Sequence, residues 1–178
     1  MFSLAQIIGF IAFIVTAYGF IQKDEKKLKV VLTVANLIWF AHFFALAAYT
    51  ACAIIFVIGI RQGISTYYHH ADYKFKLKLT YIFIPINIIT GIVSWNNWVS
   101  FFPMIASIFA TVAMFVLEGK NMRKGMLAAE FSWLVNNLYF MSFGGLAANF
   151  VNSSLLIYHI FKNDPLTEVE KSTTQSAV

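Results

Sequence analysis

Of the 13 lysines and arginines of this 178-residue chain, eleven fall in or beside every second break between its apolar runs, and the other two, Lys162 and Lys171, lie at or beyond the end of the last run. Seven runs can be drawn, roughly at 4–21, 30–48, 50–66, 79–94, 98–117, 126–142 and 146–162. Each approaches the roughly 20 mostly apolar residues with which a helix crosses a bilayer. The breaks are of two kinds, which alternate. AYT, SWNNW and FGGL are short and uncharged, whereas QKDEKKLK, HHADYKFKLK and EGKNMRKG are polar and basic. Basic residues are retained on the cytoplasmic face of a membrane. This rhythm predicts an all-α membrane protein of seven transmembrane helices, with its N-terminus outside and its C-terminus cytoplasmic.

Composition agrees with that class. The chain is 60% hydrophobic and 12% charged, against about 25% charged in a soluble domain. A soluble core of this size could not hide so much Phe, Ile and Leu. The net charge of +5 follows from the one-sided loops, so no nucleic-acid partner is expected. The single cysteine, Cys52, excludes an internal disulfide and a cysteine metal cluster. The start, MFSLAQIIGF, has no basic segment or clear cleavage site and reads as a retained helix. Residues 163–178 open on Asp164–Pro165 and read as a disordered cytoplasmic tail.

The chain also carries one pattern twice. ANLIWFAHFFALAAYTA begins at residue 35 and AEFSWLVNNLYFMSFGG at residue 129, an offset of 94. At that offset spans 1, 2 and 3 fall on spans 5, 6 and 7 without a gap, and QKDEKKLK falls on EGKNMRKG. Trp39 falls on Trp133, Lys26 on Lys120 and Ala12 on Ala106. Three spans reverse the chain's direction, and one further helix restores it. The expected architecture is therefore 3+1+3: a triple-helix repeat over 1–68, a basic loop and linker helix over 69–97, and a second, parallel repeat over 98–162. Parallel repeats of this kind occur in SWEET transporters, with the substrate site at the repeat interface near mid-membrane.

The run from Trp39 through His42-Phe43, Leu46 and Tyr49-Thr50-Ala51 to Arg61, with Gln22-Lys23 closing the first span, resembles the YgjV family of bacterial inner-membrane proteins. The resemblance covers roughly residues 1–162. It implies a place in the bacterial inner (plasma) membrane and a distant SWEET-like or PQ-loop-like fold with the same 3+1+3 plan, and it carries over no substrate or binding residue. SWEETs place prolines in the first two helices of each unit. Here Gln22 lacks a preceding proline, and the intramembrane prolines are Pro85 and Pro103, the latter opposite Gly9, at a position that could tolerate bending.

Polar residues inside the spans nominate a site. On a helical wheel at about 100° per residue, Glu130 and Asn137 lie within about 60° of Trp133 on one side, and Asn136 about 60° on the other. Asn36, Phe43 and His42 take the same places around Trp39. Asn149 and Asn152 bring further amides on span 7. Weaker stripes run through Asn87, Thr90 and Ser94 and through Ser100, Ser107 and Thr111. Amides hydrogen-bond hydroxyls and an indole face stacks on a ring, so the set suits a neutral polar solute such as a sugar or nucleoside-like molecule. The competing reading is interhelical glue. Glu130 could couple protons, with His42 at mid-membrane as a second titrating group. The favoured reading takes Glu130 to the headgroups or to Arg123 or Lys124. Arg61 is expected to snorkel, and Gly59 and Gly63 to form a close helix contact. His69-His70-Ala71-Asp72 lies in a basic loop, and no metal or cofactor is expected there.

No metalloprotease, nucleophile-elbow or phosphate-loop motif occurs, and no pair of intramembrane acids, so no enzyme is expected. Two functions remain. One is a small-solute transporter working by alternating access between the repeats. The other is a non-transporting assembly or sensor protein that keeps the fold. The expected partners are the lipid bilayer and a small-molecule solute, with homo-oligomers left open.

Overall fold

In the computed structural model, residues 3–68 and 70–162 are described; His69 and the tail 163–178 lie outside them. The described residues form seven helices. They are α1 (Leu4–Ile21), α2 (Glu25–Ala45), α3 (Tyr49–Tyr67), α4 (Tyr73–Val93), α5 (Phe101–Phe115), α6 (Gly119–Tyr139) and α7 (Phe143–Phe161). A 3-10 turn, Trp98–Ser100, leads into α5. Among the described residues, α1 to α4 and the stretch Trp98–Phe115 are long and apolar enough to cross a membrane. The remaining two have the length, 21 and 19 residues. Their composition differs because α6 carries Lys120, Arg123, Lys124 and Glu130 and α7 carries Asn149, Asn152 and His159.

Three helices start earlier than the apolar runs predict. α2, α4 and α6 begin at Glu25, Tyr73 and Gly119, inside segments read as basic loops. Hydropathy reports where lipid begins, whereas lysine and arginine are good helix formers in their own right. Asp24 fixes one of these starts by accepting a hydrogen bond from the Lys27 amide at 2.7 Å. Pro103 does not bend a helix. It lies in the first turn of α5, where its missing N–H has no intrahelical partner to lose.

The bounds of these helices repeat. From Leu4–Ile21 to Trp98–Phe115, from Glu25–Ala45 to Gly119–Tyr139, and from Tyr49–Tyr67 to Phe143–Phe161, both ends move by 94 residues. The turns repeat as well. α2 ends with Ala47 at φ 53° and α6 with Met141 at φ 49°. The Ala48 amide donates to Phe43 O at 3.0 Å, and that of Ser142 to Asn137 O at 2.9 Å. Each is a Schellman ending, in which a left-handed residue lets two amides satisfy the last carbonyls of the helix.

Packing joins α1 to α2, α2 to α3, α3 to α5, α5 to α6, α6 to α7 and α7 to α1, which closes a ring of six. α4 stands outside this ring and packs on α3 and α5. The basic connections gather at one end, where Lys76 pairs with Glu118 at 3.7 Å and the Gly119 amide donates to Glu25 Oε1 at 3.1 Å. At the other end Gln6 donates to Met141 O and accepts from the Phe143 amide, both at 3.1 Å. Thr50 bonds Ser94 and Ser100 there.

Large apolar side chains such as Leu4, Ile14 and Phe150 point outward, while asparagines and hydroxyl groups are buried. This inversion is what a lipid surround demands. The close helix contact lies elsewhere than at Gly59 and Gly63. A Cβ on either would make only ordinary contacts, at 3.7 Å to Asn36 and 3.9 Å to Thr33. It is between α1 and α7, where a Cβ on Gly144 would overlap the carbonyl of Gly9 and lie 2.8 Å from Phe10 N.

Candidate functional site

The ring of six helices encloses a cavity of about 110 Å³, and every one of the six contributes to its wall. That is room for several waters. Thr16 and Phe20 come from α1; Leu32, Asn36, Trp39 and Phe43 from α2; Ile55, Ile58, Arg61 and Gln62 from α3. Ala110 and Met114 come from α5, and Glu130, Trp133 and Asn137 from α6 together with Met126 and Ala129. Asn149 and Asn152 come from α7 with Gly145 and Ala148, and no lining residue comes from α4.

Aromatic rings form one wall. Phe43 lies between the two tryptophans, 5.7 Å from Trp39 and 5.5 Å from Trp133 by ring centroids, with interplanar angles of 25° and 17°. Trp39 is pinned because its Nε1–H donates to Thr16 Oγ1 at 2.8 Å, and that hydroxyl donates to Ala12 O at 2.7 Å. The stack bridges α2 and α6, so it ties the first three helices to the last three.

A chain of amides holds the acid. Asn137 Nδ2 donates to Asn149 Oδ1 at 2.7 Å. Asn149 Nδ2 donates to Glu130 Oε2 at 2.6 Å and to the Glu130 carbonyl at 3.0 Å. Asn152 Nδ2 donates to Glu130 Oε1 at 3.3 Å. Both carboxyl oxygens are thus hydrogen-bonded from α7, and the expectation that Glu130 reaches headgroups or pairs with Arg123 or Lys124 is corrected. Its position one turn from Trp133 turns it inward, where asparagines one turn apart on α7 meet it. Asn137 Oδ1 and Asn152 Oδ1 are buried without a hydrogen-bond partner.

The guanidinium of Arg61 faces the same space. Arg61 is 1% exposed, so it does not snorkel. Its Nη1 donates to Thr111 Oγ1 at 3.1 Å, while its Nε is buried and unpartnered. Thr111 also accepts from Asn87 Nδ2 at 3.1 Å, and Asn87 Oδ1 accepts from Ser107 at 2.5 Å. The hydroxyl stripe of α5 and Asn87 of α4 therefore form a backing for the arginine. The sequence signal for Arg61 was available in helical spacing: it follows the lining residue Ile58 by one turn, on the face that also carries Ile55 and Gln62.

Of the nine residues nominated from sequence, Asn36, Trp39, Trp133, Asn137, Asn149, Asn152 and Glu130 line the cavity. His42 and Asn136 do not. His42 is fully buried near the end of α2, where its ring nitrogens are 2.7 Å from Ala5 O and 2.7 Å from Ser142 Oγ. A Cβ on Gly9 would press on its ring at 2.6 Å. It is a cross-link between α1, α2 and the start of α7, and not a group of the cavity wall as expected. Asn136 is 1% exposed, and its Nδ2 has no partner.

The family model for the bacterial inner membrane proteins of the YgjV type matches residues 3–165, nearly the whole chain. The chain belongs to the YgjV family. This YgjV-family chain is also 31% identical over 142 residues to inner membrane protein YgjV of Escherichia coli strain K12, covering 80% of its own length and 74% of that relative's. No solved structure matches it. Its place in the bacterial inner membrane follows from these likenesses, together with its long apolar helices.

Proposed function

We propose that this protein carries a small solute across the inner membrane by alternating access, with the cavity as its binding site. One observation carries the reading: a single cavity is lined from all six ring helices, and its polar groups are set among aromatic walls. Ionisable residues inside a membrane protein that face a cavity mark substrate paths. All seven helices cross the bilayer in this reading, as a 3+1+3 arrangement of parallel triple-helix repeats. The 94-residue shift of helix bounds supports that plan. So does the packing: exchanging α1, α2 and α3 for α5, α6 and α7 maps each of the six ring contacts onto another ring contact. Glu25 accepting from Gly119, its partner at the 94-residue offset, is a contact that a pseudo-two-fold axis at that point would produce.

The test is uptake by the purified chain in proteoliposomes, screened with labelled sugars, nucleosides and amino acids. Saturable uptake is expected, with at least tenfold loss in Trp133→Ala and in Asn149→Ala. Saturable uptake that both variants retain would remove the cavity as the site. If no solute enters and none shifts the melting temperature, the non-transporting reading stands instead.

A further inference from the structure

The cavity holds more charge chemistry than a sugar site requires, and the two charges sit on different helices. On α3, Arg61 offers a buried Nε with no partner. On α6 and α7, Glu130 is joined by two amide oxygens, Asn137 Oδ1 and Asn152 Oδ1, that likewise have none. One region of the wall is thus short of an acceptor and the other short of donors. Buried polar atoms in folded proteins nearly always find partners, so groups left over in this way ask for a ligand that completes them.

The bonds the protein already makes sharpen the division. Arg61 is held from behind by Thr111, which Asn87 and Ser107 fix in turn, so the guanidinium is oriented before anything binds. A guanidinium is a planar fork of donors suited to a carboxylate. Glu130 is held by Asn149 and Asn152, and with the two free amide oxygens it makes an acceptor cluster. An ammonium group carries three donors and no acceptor.

Building on the transport reading, we propose that the solute is a small zwitterion of amino-acid size, its carboxylate on Arg61 and its ammonium on Glu130, Asn137 and Asn152. Such a solute is neutral overall and leaves the charge balance of the cavity unchanged. The size agrees. About 110 Å³, at roughly 10–15 Å³ per water centre, corresponds to a solute of on the order of eight heavy atoms. Phe43 and the two tryptophans would cover its hydrocarbon part.

Binding to the detergent-purified full chain, followed by calorimetry and by thermal shift, decides the matter. The probes are glycine, β-alanine and L-alanine as zwitterions, propionate and ethylamine as the two halves, and erythritol as a neutral polar solute. At least one zwitterion is expected to bind tenfold or more tightly than propionate, ethylamine and erythritol. Arg61→Gln should bring that zwitterion down to the level of ethylamine and leave ethylamine unchanged. Glu130→Gln should bring it to the level of propionate and leave propionate unchanged. The wild-type panel decides alone if either variant fails to fold. Erythritol binding as tightly as the best zwitterion, or either half matching it, overturns the zwitterion and leaves transport standing. A panel with no binding at all overturns the zwitterion, and the uptake screen then judges the transport reading separately.

Discussion

At the scale of single residues, the site depends on which polar groups face inward and what they meet there. The facing was readable: Trp133, Glu130 and Asn137 share one arc of α6 because a helix returns to the same side every third or fourth residue. The meeting was not. That Asn149 and Asn152 would bond Glu130 is a relation between helices, and periodicity within one helix is silent about it. Arg61 was misread because a cation a few residues from the end of a span ordinarily reaches the headgroups; only the polar neighbours on α4 and α5 show why it stays inside. Two other residues offer a simpler test. Ala47 and Met141 hold left-handed φ angles of 53° and 49° at which L side chains crowd the backbone. Ala47→Gly and Met141→Gly should each stabilise the fold by about 1 kcal/mol, the relief of that crowding offset partly by glycine's freer unfolded chain. Thermal unfolding in detergent should show a rise of roughly 2–4 °C for each. An unchanged or lower midpoint in both would mean that these turns carry no such crowding.

At the scale of elements, the seven helices and their order were legible in the apolar runs, and their bounds less so. α1 was placed as observed, whereas α2, α4 and α6 start five to seven residues before the predicted spans at 30, 79 and 126. Lipid contact and backbone hydrogen bonding end at different places in these helices. The sequence also pointed to the wrong glycines. A spacing of four residues suggested Gly59 and Gly63, yet α3 has room to spare there, and the close crossing joins Gly9 to Gly144 on helices distant in the chain. Gly144→Ala should therefore lower the melting midpoint clearly, at an overpacking cost of roughly 1–3 kcal/mol, because backbone cannot retreat as a side chain can. Gly59→Ala should be neutral or slightly stabilising, since it adds helix propensity and meets only Asn36 Cβ at 3.7 Å. Equal effects from the two would refute this account of the α1–α7 crossing.

At the scale of the whole molecule, the helix bounds repeat and most side chains of the site do not. The offset of 94 was visible in the sequence and returns in every bound of the six ring helices when the 3-10 turn Trp98–Ser100 is counted with α5. The chemistry of the halves has diverged, with Asn149 and Asn152 standing where the first half has Ile55 and Ile58, and Glu130 where it has Asn36. The proposed orientation, basic end in the cytoplasm, can be read with cysteines, because Cys52 is buried and the single one in the chain. In a Cys52→Ala background, a membrane-impermeant maleimide should label Asn96→Cys in intact cells and Asp72→Cys only after permeabilisation. The opposite result would invert the molecule.

The helix left out of the repeat has a mechanical meaning. A ring made of two equal arcs has two seams. α4 is laid along the α3–α5 seam only, while the α1–α7 seam is closed by the Gly9–Gly144 crossing and by the bonds of Gln6 to Met141 and Phe143. The two joints are therefore unlike: a further helix covers one, and the other is made by its own two helices. In the transport reading proposed above, the ring resembles a bound volume: α4 is the spine, and the α1–α7 crossing is the fore-edge along which it would open.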